Sequence, residues 1–90
     1  MKTIFKQALK VTNLQTIQLP RGFKILHLGM QADVPTIWYE CDTTAPMKNL
    51  NIYCFGTGFD MDHSPARKYI GTVQFDGFVW HYYHAAGFID

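Results

Sequence analysis

Two alternating runs, Tyr69-Ile70-Gly71-Thr72-Val73-Gln74-Phe75 and Phe78-Val79-Trp80-His81-Tyr82-Tyr83-His84, are separated by Asp76-Gly77. Asp-Gly between such runs specifies a two-residue hairpin, because a type I′ turn needs positive φ at both central residues. The turn sets the register: Phe75 opposite Phe78, Val73 opposite Trp80, Gly71 opposite Tyr82 and Tyr69 opposite His84. One face then carries Tyr69, Gly71, Val73, Phe75, Phe78, Trp80 and Tyr82, and must be a core or an interface. The other carries Ile70, Thr72, Gln74, Val79, His81 and Tyr83, and is the more exposed. Gly71 opposite Tyr82 leaves room for the ring to lie flat.

The rest of the chain carries the same two-residue period in shorter pieces. Thr3 to Val11 reads as a first strand and Thr16 to Leu19 as a second, ended by Pro20, which lacks a backbone donor. Lys24 to Gln31 places Leu26, Leu28 and Met30 on one side and Ile25, His27 and Gly29 on the other. Ala32-Asp33-Val34-Pro35 predicts a turn, and Thr36 to Asp42 returns with Ile37, Tyr39 and Cys41 on one face. Leu50 to Phe55 alternates Leu50, Ile52 and Cys54 with Asn51, Tyr53 and Phe55. A single helical turn is expected between Asp62 and Tyr69, where Ser64-Pro65 resembles a helix cap. Ninety residues leave room for one domain, residues 1–90. The expected fold is therefore all-β: a small antiparallel sandwich or partly open barrel of six to seven short strands, closing on a C-terminal β-hairpin.

Composition narrows the function classes. A net charge of +1 lacks the basic excess of a nucleic-acid binder, so no nucleic-acid partner is expected. No stretch is long and apolar enough to span a bilayer, and no membrane partner is expected. Cys41 and Cys54 sit in apolar runs and are expected to be small buried hydrophobes; a disulfide between neighbouring strands is the alternative. Aromatic residues make up 16% of the chain, more than so small a core hides, which predicts an aromatic surface and a homo-oligomer.

The longest segment without a strand pattern runs from Gly56 to Lys68 and gathers two glycines, two carboxylates, a histidine and two cations. Long irregular connections in compact domains tend to be functional. Gly56-Thr57-Gly58 with Arg67-Lys68 offers backbone and charge to an anion, although the second half of a dinucleotide fingerprint is absent. Asp60-x-Asp62-His63, with His27, His81 or His84, offers metal ligands, but no spacing supplies three convergent ones, so no metal and no cofactor is assigned. No catalytic residue is assigned either. The expected binding residues are Gly56, Thr57, Gly58, Arg67, Lys68, His81 and Tyr83. Two rival readings stay open: a small hydrolase of a phosphorylated signal using Asp60, Asp62 and His63, and a structural or assembly role without a small-molecule site.

The chain resembles a family of small, largely uncharacterised proteins encoded by bacteriophages. The likeness lies in Met1-Lys2-Thr3-Ile4-Phe5-Lys6, in Ile17-Gln18-Leu19-Pro20-Arg21-Gly22 followed by Lys24-Ile25-Leu26, and above all in two motifs. These are Phe55-Gly56-Thr57-Gly58 and Tyr69-Ile70-Gly71-Thr72-Val73-Gln74, which bracket the 56–68 segment. The resemblance implies an accessory protein working in the host bacterial cytoplasm. It also implies action by binding, with a host immune effector or its nucleotide-like signal as the partner.

Overall fold

The structure, a computed structural model, describes residues 1–62 and 65–89. Seven strands are present and no helix occurs among the described residues: β1 (Lys2–Ala8), β2 (Leu14–Pro20), β3 (Lys24–Gln31), β4 (Val34–Asp42), β5 (Met47–Gly56), β6 (Arg67–Phe75) and β7 (Phe78–Ala85). The described part of the expected helical turn after Asp62 is irregular, and β6 has begun by Arg67; His63 and Ser64 lie outside the described residues.

All pairings are antiparallel. β1, β4 and β3 form a three-stranded sheet in that order, and β2, β5, β7 and β6 form a four-stranded one. The sheets face each other as a sandwich and do not close into a barrel, so β1, β3, β2 and β6 are edge strands. Cys41 on β4 and Cys54 on β5 thus lie in different sheets rather than on neighbouring strands, and both are buried free thiols.

The core is what the alternation predicts for β4 and β5. Ile37, Tyr39 and Cys41 from one sheet meet Leu50, Ile52 and Cys54 from the other, joined by Ile17, Leu19, Leu28, Val73 and Tyr82. Tyr82 is fully buried, and its hydroxyl donates to the Lys10 carbonyl at 3.0 Å, tying β7 to the β1–β2 connection. Leu9 in that connection is also buried, and its amide donates to the Pro35 carbonyl at 2.8 Å.

Both hairpin turns take positive φ at their two central residues. At Asp76-Gly77 the angles are 54° and 81°. At Ala32-Asp33 they are 49° and 63°, without a glycine, so the turn is tighter than the four-residue one expected, and Val34 and Pro35 already belong to β4.

Two bulges break the simple alternation. In β3 the register slips between Ile25 and His27, so Leu26 is an extra residue; it does not share the face of buried Leu28 and is 45% exposed. In β6 the slip falls between Tyr69 and Gly71. Phe75–Phe78, Val73–Trp80 and Gly71–Tyr82 pair as the turn dictates, but Tyr69 then pairs with Tyr83 instead of His84. Ile70 becomes the extra residue and packs against the core, while Tyr69 moves to the outer face. Gly71 does not make room for a Tyr82 ring. A Cβ there would meet Leu28 Cβ at 3.1 Å and Leu28 Cδ2 at 3.2 Å, so the bare glycine lets β3 of the other sheet approach β6.

Candidate functional site

On the outer face of the four-stranded sheet the register lines up one residue from every strand. Leu14 of β2 opposes Tyr53 of β5, Tyr53 opposes Tyr83 of β7, and Tyr83 opposes Tyr69 of β6. Three strand spacings of about 4.8 Å make this row about 14 Å long. Leu14 and Tyr69 at its ends are both more than half exposed. Polar groups border it on β2 and β5, where Thr16 Oγ1 donates to Asn51 Oδ1 at 2.7 Å.

Beside the row is a second cluster built on Tyr83. Phe55 lies edge-on to Tyr83 with ring centres 5.8 Å apart, and Tyr69 does the same from the other side at 5.3 Å. The Arg67 guanidinium sits 5.5 Å from the centre of Phe55 and 5.3 Å from that of Tyr83. Guanidinium over aromatic faces is attracted by the ring quadrupole and holds the rings in fixed positions.

His81 is pinned by hydroxyls on both sides. Its Nε2 lies 2.9 Å from Thr57 Oγ1, and its Nδ1 lies 2.9 Å from Thr72 Oγ1. Thr72 Oγ1 is in turn hydrogen-bonded to the Tyr69 hydroxyl. A hydroxyl donates or accepts as required, so the chain Tyr69–Thr72–His81–Thr57 is satisfied with either imidazole tautomer. Both ring nitrogens are therefore engaged within the surface, and the imidazole is a fixed element of it.

Four of the expected binding residues thus share this face: Thr57, Arg67, His81 and Tyr83. The other three are elsewhere. Gly56 is buried at the inner end of β5, with the Phe59 ring against it; a Cβ there would fall 2.7 Å from Phe59 Cε1. Gly58, with φ of 89°, occupies the third position of a turn in which the Phe59 amide donates to the Gly56 carbonyl at 3.0 Å. The Thr57 amide donates to the Val79 carbonyl at 3.2 Å. The Thr57 and Phe59 amides are thus spent on the fold, and Gly56-Thr57-Gly58 serves to end β5 and seat Phe59 edge-on to Trp80. Lys68 follows Arg67 in an extended strand, so it points to the opposite face and opposes His84 on β7.

Of the rival hydrolase residues, Asp60 accepts the Asp62 amide at 2.9 Å in an Asx turn, and both carboxylates are exposed. His63 lies outside the described residues. His81 and His84 fall on opposite faces of β7, as their spacing requires. No group of three His, Cys, Asp or Glu residues comes together among the described residues.

The residue that alternation misplaces is Tyr69, the end of the aromatic row. The signal for the slip is Gly71, since a glycine inside a strand pattern often marks a bulge. The partnership of Phe55 with Arg67 is visible only in the folded sheet, because the two are twelve positions apart on strands that are not neighbours.

No curated protein and no solved structure matches the chain. A described family does: residues 1–88 match a domain of unknown function, DUF7352. That match takes in all seven strands together with the aromatic row and the Arg67 cluster, and on its extent the chain belongs to the DUF7352 family.

Proposed function

We propose that this domain is a non-enzymatic binding protein whose contact surface is the outer face of the four-stranded sheet. The observation that carries the reading is the row Leu14–Tyr53–Tyr83–Tyr69 with Arg67 held across Tyr83 and Phe55. Tyr and Arg are the side chains that dominate binding hot spots, because they bury large rigid areas at small entropic cost. A surface already locked by ring contacts and a hydroxyl–imidazole chain loses little further freedom when a partner lands on it.

The biological setting we propose rests on the resemblance of the Phe55-Gly56-Thr57-Gly58 and Tyr69–Gln74 motifs to bacteriophage-encoded proteins. In that setting the domain acts in the cytoplasm of the infected bacterium and counters a host defence by occupying an immune effector or sequestering its nucleotide signal. The extent of the aromatic row favours a macromolecular partner, and the effector is the first choice. Self-association belongs to the same proposal. Ile4 and Phe5 on edge strand β1 are about half exposed, and an unpaired edge carrying apolar residues is a ready contact.

The test is native mass spectrometry of the protein purified from infected cells, run beside a Tyr69→Ala, Tyr83→Ala double variant. A host protein or intact nucleotide bound to the parent and lost from the folded variant supports the proposal. Equal occupancy in the variant refutes the placement of the surface. A nucleotide recovered as a cleaved product refutes the binding role in favour of hydrolysis.

A further inference from the structure

The two bulges lie on strands that pack against each other across the sandwich, β3 and β6. A bulge bends its strand and increases the local twist, and bulges are over-represented beside binding sites. Next to both bulges a cleft of about 460 Å³ is open to solvent at this end of the sandwich. That volume lies within the range of about 300–1,000 Å³ typical of small-molecule sites.

The cleft divides cleanly by chemistry. Phe23, Ile25, Ile70 and Phe88 line it, and all four also pack against the main core, which holds them in place. Phe23 is edge-on to both His84, at 5.5 Å, and Phe88, at 5.7 Å. The segment carrying Phe88 is anchored by the Ile89 amide, which donates to the Asn49 carbonyl at 2.8 Å. The polar members are Tyr69 at the rim towards the outer face, and Lys68 and His84, directly opposed on β6 and β7. His84 Nδ1 donates to the Ala85 carbonyl at 2.7 Å, so Nε2 is the ring nitrogen outside that bond. No Asp or Glu is among the described residues lining the cleft, so its one charged lining side chain is the cation of Lys68.

We infer that this cleft is a binding site for a small amphipathic anion, a carboxylate or phosphate ester with an aromatic or aliphatic body. The apolar body lies among Phe23, Ile25, Ile70 and Phe88; the anionic group pairs with Lys68, beside His84. The cleft borders the outer face and shares Tyr69 with it, but its cation is its own, because Lys68 and Arg67 emerge on opposite sides of β6. It stands whether or not that face binds a partner.

The experiment is a titration of the intact domain, followed by backbone amide NMR, with phenylacetate, phenyl phosphate and the neutral phenylacetamide as probes. We expect saturable shifts at Lys68, Ile70, His84 and Phe88 with at least one of the two anions, the stronger of them identifying the anionic group preferred. Loss of a charge-assisted contact predicts about tenfold weaker binding of phenylacetamide, and a similar loss in Lys68→Met. Lys68 is exposed, so the variant is expected to keep the parent's dispersed spectrum. Absence of saturable shifts with both anions, equal affinity for the neutral amide, or unchanged affinity in Lys68→Met overturns the inference.

Discussion

Gly71→Ala tests the reasoning about how the two sheets are held together. The added Cβ falls 3.1 Å from Leu28 Cβ and 3.2 Å from Leu28 Cδ2. Carbon atoms at rest lie roughly 3.5–4.0 Å apart, so the gap must widen by about half an ångström. Leu28 can swing its Cδ2 aside, but its Cβ moves only with the β3 backbone, and the residue is buried. Overpacking of this kind costs about 1–3 kcal/mol. Replacing glycine also restricts the unfolded chain, which returns about 0.4–1 kcal/mol. The net loss is about 0–2.6 kcal/mol, and each kcal/mol lowers Tm by roughly 4–8 °C in a domain of this size. Urea unfolding followed by the fluorescence of Trp38 and Trp80 measures it. Leu28→Ala alone leaves a cavity costing about 2–5 kcal/mol. In the double variant the 3.2 Å contact with Cδ2 is gone and the methyl added at position 71 borders that space, but the 3.1 Å contact with Cβ, which Leu28→Ala retains, persists, giving a favourable coupling of about 0.5 kcal/mol or more. If Gly71→Ala is more stable than the parent, or its effect simply adds to that of Leu28→Ala, the close approach of β3 to β6 is not what Gly71 provides.

Three further outcomes are expected. Tyr82→Phe removes the bond to the Lys10 carbonyl, but Gln15 Nε2 still donates to that oxygen at 2.8 Å, so urea unfolding should show a loss of only about 1 kcal/mol, near one ordinary hydrogen bond. Asp42 accepts from the Thr44 amide and hydroxyl, which hold its carboxyl at about 2; its contribution to stability is full above the ordinary value of 3.8 and lost as pH falls towards 2, and NMR titration of its carboxyl carbon in the parent and in Thr44→Ala should show the shift shrink in the variant. Burial raises the Cys54 thiol above its ordinary 9.0 and the Tyr82 and Tyr39 hydroxyls above 10.0, so the native state keeps protons that the unfolded chain releases; stability should fall as pH rises past 9, by about 1.4 kcal/mol per unit for each group engaged, in urea melts run at increasing pH.

The strands that alternation reads best are β4 and β5, because each carries three apolar residues on one face with polar or amphipathic neighbours between them. The Asp76-Gly77 turn likewise fixes its own register over the first three pairs that share a face with it, where only local geometry matters. The register fails at Ile70, because a bulge answers to packing with the other sheet, here Leu28 against Gly71, and no period-two pattern contains that information. The same slip hid the end of the aromatic row. Arg67 and Lys68, adjacent in sequence, read as one basic pair, yet the pleat sends them to separate surfaces. The 56–68 segment drew attention for its density of chemical groups. Its described part instead spends Gly56, Gly58, Phe59 and Asp60 on turns and packing, and the residues one in from its two ends, Thr57 and Arg67, reach the outer face.

The order of the strands has a consequence for synthesis. β1, β3 and β4 are all translated by residue 42, so the three-stranded sheet can assemble early, with the β3–β4 hairpin as its local seed. β2 is translated between β1 and β3 but belongs to the other sheet, and its partner β5 is complete only at residue 56. The inner face of the first sheet, with Ile37, Tyr39 and Cys41, stays without its full cover until β7 arrives near residue 85. While the residues from Asp42 to Ala85 are being added, the nascent chain therefore shows an apolar sheet and a stray strand to its surroundings, the state most open to capture by chaperones or by another copy.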